Sequence, residues 1–364
     1  MNEVNQSERS DVFSFIIREL QEAMPQLPYY DSVHEGDYYG RVTVPVAYFV
    51  MAKLMLNAAV YADDDWTDRA HPDGSSLQFT FDGKTMNAWE ACTYFCDLLT
   101  DWGYQLEADY ENNFLVHNED SKENIWTIPM DKNLYSNQQQ TLTRSMHYRQ
   151  AAAFGYTGEN GTSATKKALE VFGYDTDSPD KRFYLNFYSG QIYDLENAPI
   201  LDRTGQPLAY YPWEVMMDLS GSAFVETAGA RLRKYEIDKN AMKDGKLIDN
   251  DIVLFRYADV LLMRAEAKLR NGEDGQADFD AIRARAGEES RVLTLENLLD
   301  ERLMELCFEG WRRQDMIRFG QYESLFEGGE GYAKVDESDG HTTVYPIPAD
   351  VMALNANLQQ NPGY

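Results

Sequence analysis

Apolar residues recur at helical spacing in two blocks of this chain and lose that period in between, so both ends are expected to pack as helices and the middle is not. In the first block, Val12, Phe15, Ile16, Leu20 and Met24 share a helical stripe that Pro25 and Leu27-Pro28 bring to an end, predicting a helix over 10–24. A second is predicted from Pro45 to Tyr61, with Val46, Val50, Leu54 and Ala58 on one face. Its leading proline costs little, because the N–H it lacks would be unpaired there anyway. Trp89, Cys92, Cys96 and Leu99 mark a third helix that stops near Gly103.

The second block opens with Leu254, Ala258, Leu261, Leu262, Ala265 and Leu269, stops at Asn271-Gly272, and resumes through Ala277, Ala281 and Ile282 to Gly287. The length, the turn and the small alanines fit a tetratricopeptide-type hairpin, although the full repeat consensus is absent. Thr294 is placed to cap a further helix, with Glu296 in its first turn, and Leu295, Leu299, Leu303 and Leu306 carry one stripe toward Phe319. The expected fold is all-α: tetratricopeptide-like helical hairpins with a loop-rich variable region, in a single domain. Residues 1–125 form a helical repeat region, 126–250 the variable part, 251–320 the second set of helices, and 321–364 an extended strap.

A formal charge of -28 disfavours nucleic acid and anionic lipid, both of which would be repelled. No stretch has the apolar length of a membrane span, and Met1 to Asp11 are too polar for a signal peptide. Cys92, Cys96 and Cys307 are read as small buried apolar residues, since their odd number suits no disulfide framework. His34, His71, His117, His147 and His341 are isolated, without a metal-binding or nucleophile signature. Glu301, Glu305 and Glu309, interleaved with Arg302, Arg312 and Arg313, read as an ion-pair ladder along one helix rather than as catalytic acids. The acidic loops Asp63-Asp64-Asp65 and Asp175, Asp177, Asp180 leave calcium as the one cofactor to consider, though neither matches an EF-hand loop and solvated turns are the plainer reading.

Three segments together resemble the SusD/RagB family of outer-membrane nutrient-binding lipoproteins. The first is Phe255-Arg256-Tyr257-Ala258-Asp259 running to Ala267, with Ile282-Arg283-Ala284-Arg285-Ala286-Gly287 behind it. The second is Asp300-Glu301-Arg302, Glu305-Leu306, Phe308-Glu309-Gly310-Trp311-Arg312-Arg313 and Asp315-Met316-Ile317-Arg318-Phe319-Gly320. The third is Tyr345-Pro346-Ile347-Pro348 with Asn361-Pro362-Gly363-Tyr364. Gly40-Arg41-Val42-Thr43, Ala52-Lys53, Leu56-Asn57-Ala58 and Trp66 are similar to the family's early repeat region, and Asp180 with Arg182 to a recurrent structural position.

The resemblance implies non-catalytic capture of oligosaccharides at the bacterial outer membrane and delivery to a SusC-like TonB-dependent transporter. The family's signal, lipidated cysteine and first helices would precede Met1. Peptide capture by the same architecture, a repeat-type interaction scaffold, and a two-carboxylate hydrolase are the rival readings.

Aromatic residues are the best lead to a sugar site, because stacking one ring removes about 50 Å² of apolar surface from water, roughly 1 kcal/mol. Tyr210, Tyr211 and Trp213 cluster around Pro212 outside any helical stripe, and Trp126, Tyr156 and Tyr188 lie in comparably irregular sequence. These six are the candidate ligand-binding residues. For Trp213, core packing is the commoner fate of such a residue and loop exposure the alternative. Trp89 and Trp311 are read as core, and Trp66 and Trp102 as packing at helix ends.

Overall fold

The computed structural model describes residues 4–65, 67, 71–134, 143–322 and 341–364; Trp66 falls outside them, as does part of the expected strap. Seven helices carry the scaffold: α1 (Arg9–Ala23), α2 (Val44–Leu56), α3 (Ala88–Trp102), α4 (Tyr257–Arg270), α5 (Gln276–Ala286), α6 (Leu295–Glu305) and α7 (Arg312–Arg318). Their limits follow local chemistry. Asn87 and Glu90 each accept the other's backbone N–H in a capping box at the start of α3, and Gly103, at φ 109°, ends it in a conformation that side chains resist. Thr294 caps α6 through the N–H of Asn297.

α2 and α4 sandwich α3, so that Phe49, Met55, Cys92, Phe95, Leu99, Leu262, Ile282 and Leu298 meet in one core from which water is excluded. Leu261 and Leu303 are both helical. All three cysteines are free and buried.

Three helix expectations need correction. The helix foreseen from Pro45 to Tyr61 breaks at Asn57, whose amide donates to the Lys53 carbonyl and so competes with the helical ladder. The one foreseen from 295 to 319 breaks where Phe308 and Gly310 take φ 64° and 86°, separating α6 from α7. Leu254 lies in a strand, Ile252–Arg256, paired antiparallel with Asn124–Ile128. Three other antiparallel pairs occur among the described residues, Gln78–Phe81 with Lys84–Asn87, Phe187–Tyr188 with Arg231–Leu232, and Gly190–Gln191 with Ala209–Tyr210. The fold is therefore mostly helical with short strand pairs rather than all-α.

Residues 143–250 form smaller apolar clusters of their own, one around Met146, Tyr156, Ile192 and Tyr210 and one around Leu169, Phe172, Phe183 and Phe187. Met304 and Cys307, at the end of α6 and in the turn after it, complete the second of these clusters, and buried ion pairs fasten the region further to the helices. Arg182 forks onto Asp180 and reaches Glu301 and Glu305 at 2.7 and 2.9 Å. Arg256 engages Glu123 and Glu305, both at 2.6 Å, and grips Glu309 with two nitrogens. Lys234 adds a bond to Glu309 at 2.8 Å. Burial alone would raise the Glu305 carboxyl, but Arg285, Arg256 and Arg182 outweigh it and hold the group well below the usual range.

The ladder expected along one helix is instead a buried cluster: Glu301 and Glu305 are fully buried, the turn after α6 carries Glu309 inward, and the cations come from distant segments. Arg302 belongs to a second cluster inside the scaffold, pairing with Asp259 and Asp315, while Arg318 joins Asp315 to Glu266.

The described C-terminal residues, 341–364, lie largely exposed. Asn355, Asn357 and Gln359 hydrogen-bond to Val4, Asn5 and Gln6, and Ala349–Leu354 form a short helix.

Candidate functional site

The irregular region helps to form an open concavity of about 740 Å³, within the range of small-ligand sites. Its first wall begins with Arg182. Pinned by its carboxylates, this residue starts the helical turn Arg182–Asn186, which sends Phe183 into the core and leaves Tyr184 47% exposed. The strand pair that follows turns Tyr188 toward the cavity, and the next hairpin brings Tyr193, also 45% exposed, to the rim.

The second wall is the segment 233–239. Arg233 donates to the Tyr184 carbonyl at 3.0 Å and holds its guanidinium 5.8 Å from the centre of the Tyr188 ring. Burial pushes the Tyr188 hydroxyl up to about 12, with Arg233 opposing. Asp109, Glu111 and Asn112 close the third side, thrown outward from a turn whose Tyr110 and Phe114 are buried. Three tyrosines with planar amide, carboxylate and guanidinium groups around them make a surface able to stack apolar ring faces and bond the hydroxyls at their edges.

The six candidate residues are placed unevenly. Tyr188 lines this cavity. Tyr156 lines a smaller one of about 300 Å³ that shares the segment Arg233–Ile237, but its ring is buried and its hydroxyl donates to the Asp238 carbonyl. Tyr210 is 1% exposed; its hydroxyl donates to Gln150 and accepts the His147 N–H, so it is a core residue and offers no face to a ligand. Trp126 is half-buried in a strand, with its indole donating to the Gly40 carbonyl and its ring 5.2 Å from Phe255, so it serves packing rather than a platform.

Trp213 and Tyr211 are 38% and 46% exposed around the turn Pro212–Glu214, outside the large cavity. Trp213 is linked toward it by Tyr174, 6.1 Å from the indole and 4.6 Å from Phe183. Tyr184, Tyr193 and Arg233 went unnoticed in the sequence. The run Arg182-Phe183-Tyr184-Leu185-Asn186-Phe187-Tyr188 is dense in rings, but composition alone does not say which of them face out.

Asp180 is consumed by Arg182, and Asp63 by Arg9 and His71. Among the described residues no three His, Cys, Asp or Glu side chains are grouped so as to hold a metal ion.

Comparison with known proteins places this architecture. The pattern defining the SusD family matches residues 122–364, two thirds of the sequence. The chain belongs to the SusD family. The starch-binding protein SusD of Bacteroides thetaiotaomicron is 35% identical over 149 residues, an alignment taking in 38% of this chain and 26% of that protein.

A SusD-like protein from Bacteroides fragilis superposes on all of this chain and 73% of its own length, with a TM-score of 0.67 at 18% identity. Surface glycan-binding protein A of Bacteroides thetaiotaomicron, solved in complex with laminarihexaose, matches 96% of this chain and 70% of its own, with a TM-score of 0.65 at 19% identity. At such identities the two structures establish the SusD-like fold. Two walls of the large cavity, from the segment 182–239, fall within the family match, and the third, from 109–115, precedes it.

Proposed function

We propose that this SusD-family protein captures oligosaccharides without cleaving them, at the surface of a bacterial outer membrane, and passes them to a SusC-like TonB-dependent transporter. The observation that carries the capture role is the cavity itself, where Tyr184, Tyr188 and Tyr193 stand among Asn197, Gln191 and Arg233. Its composition suits a ligand of apolar faces and hydroxyl edges. Support for a saccharide comes from the ligands of relatives, starch for one and laminarihexaose for another.

No helix among the described residues is long and apolar enough to cross a membrane. The hairpin of α4 and α5 is read as tetratricopeptide-type, a rigid backing on which loops can vary.

Calorimetric titration against a panel of oligosaccharides tests the capture role. Binding, with no product after prolonged incubation, is expected. Enzyme-proportional hydrolysis by pure protein, or binding to peptides in place of sugars, would overturn it.

A further inference from the structure

The charges around the large cavity bear on which sugars it admits. Asp109, Glu111, Asp194 and Glu236 line it, facing Arg233, Lys234 and Lys239. Lys234 is already committed: its buried ammonium lies 2.8 Å from Glu309 and 2.6 Å from the Tyr110 hydroxyl. Arg233 spends one donor on the Tyr184 carbonyl, and with Lys239 exposed at the edge the four lining carboxylates still outnumber the three cations, one of which is neutralised by Glu309.

Among the carboxylates, Asp194 accepts the N–H groups of Glu196 and Ala198, and Glu236 accepts that of Val116. Asp109 and Glu111 are different. Both are exposed, flanking the first residue of a turn anchored by buried Tyr110, and no side-chain partner holds either among the described residues.

A carboxylate accepts hydrogen bonds and donates none. Sugar hydroxyls donate, so an uncharged oligosaccharide pairs with such a rim. A uronate or sulfate is itself an acceptor and a like charge, so at this rim it gains no bond and is repelled. The chain's net charge of -28 extends the same field beyond the cavity.

We infer that the cavity admits uncharged oligosaccharides and rejects those bearing uronate or sulfate groups, with Asp109 and Glu111 as the charge filter. This rests on the glycan-capture reading of the same cavity. The arrangement repels by design of the rim alone, since the stacking surface of Tyr184, Tyr188 and Tyr193 is indifferent to a charge at the sugar's edge.

The test pairs each of several neutral gluco-, xylo-, manno- and galacto-oligosaccharides with a form oxidised to the carboxylate at C6 or sulfated, and measures affinity at low and moderate salt. At low salt the acidic member of a binding pair should bind roughly tenfold or more weakly, and the gap should narrow as the screening length falls below about 10 Å. The double variant Asp109→Asn, Glu111→Gln should shrink the neutral-to-acidic ratio, whatever it does to the neutral sugar. Acidic members binding as tightly as their neutral partners would overturn the filter and leave glycan capture standing, as would a ratio untouched by both salt and the double variant. Should no member of any pair bind, the glycan reading falls and the filter with it.

Discussion

The helical scaffold and the loop-rich region both exclude water from their interiors, yet they reach order by different means. In the scaffold, stripes of apolar residues on α2, α3 and α4 meet in one large core, and each stripe is local to its helix. Residues 143–250 have no such stripes. Their apolar clusters are small, their turns are set by side chains such as Asp194 and Asp202, which accept nearby backbone N–H groups, and Arg182 and Lys234 tie them to Glu301, Glu305 and Glu309. Irregular backbone held by a few strong polar joints leaves more side chains facing outward, and that is where the cavity lies.

Glu305→Ala should break this contrast most severely. It leaves Arg182, Arg256 and Arg285 buried with a missing counter-charge, a loss of about 3 to 5 kcal/mol. Urea denaturation checks the size, and a cost under about 1 kcal/mol would mean that the joint is not ionic in effect.

The next largest effect is on acid stability of the scaffold. Burial works to raise Asp315, but Arg302, Arg318 and Lys53 lower it from 3.8 to about 2. A depressed carboxylate contributes its stability above the unfolded value and loses it as pH falls through the folded one, so unfolding free energy should drop between about pH 4 and about pH 2. Asp315 alone accounts for on the order of 2 kcal/mol. Denaturation at several pH values should show this slope flattened in Asp315→Asn.

Trp213→Ala sharpens the comparison at smaller scale. As an exposed ring outside the cavity it offers a further stacking face, and its loss should weaken oligosaccharide binding by about 1 kcal/mol with little change in melting temperature, whereas Trp89→Ala, in the scaffold core, should cost about 3 to 5 kcal/mol of stability. A large fall in melting temperature for Trp213→Ala with unaltered affinity would return that residue to packing.

What the sequence revealed follows the same division. Helices α1, α3 and α5 were legible because apolar period and stop signals, Pro25 after the first and Gly103 and Gly287 after the others, act within a few residues. The breaks at Asn57 and at Phe308 to Gly310 were not, since each depends on a partner far along the chain: Asn57 also receives Arg318, and the second turn exists to bring Glu309 to Arg256. Glu305 was visible as a charge on a helix, but its cations lie at 182, 256 and 285.

In the site, Tyr188 lines the cavity and Tyr210 is buried, although both are candidate tyrosines in short strands. Burial there is decided by which strand edge meets Gln150 and His147, a tertiary fact with no local signature.

The central claim is that the cavity walled by Tyr184, Tyr188 and Tyr193 is where the oligosaccharide sits. The double variant Tyr184→Ala, Tyr193→Ala removes two half-exposed rings, of which only Tyr184 rests, edge-on, against buried Phe183. Calorimetric affinity for a binding oligosaccharide, taken alongside the melting temperature of the same preparation, should show binding weakened by about 2 kcal/mol or more and a melting temperature close to that of the parent. Unchanged affinity in a fully folded double variant would contradict the claim.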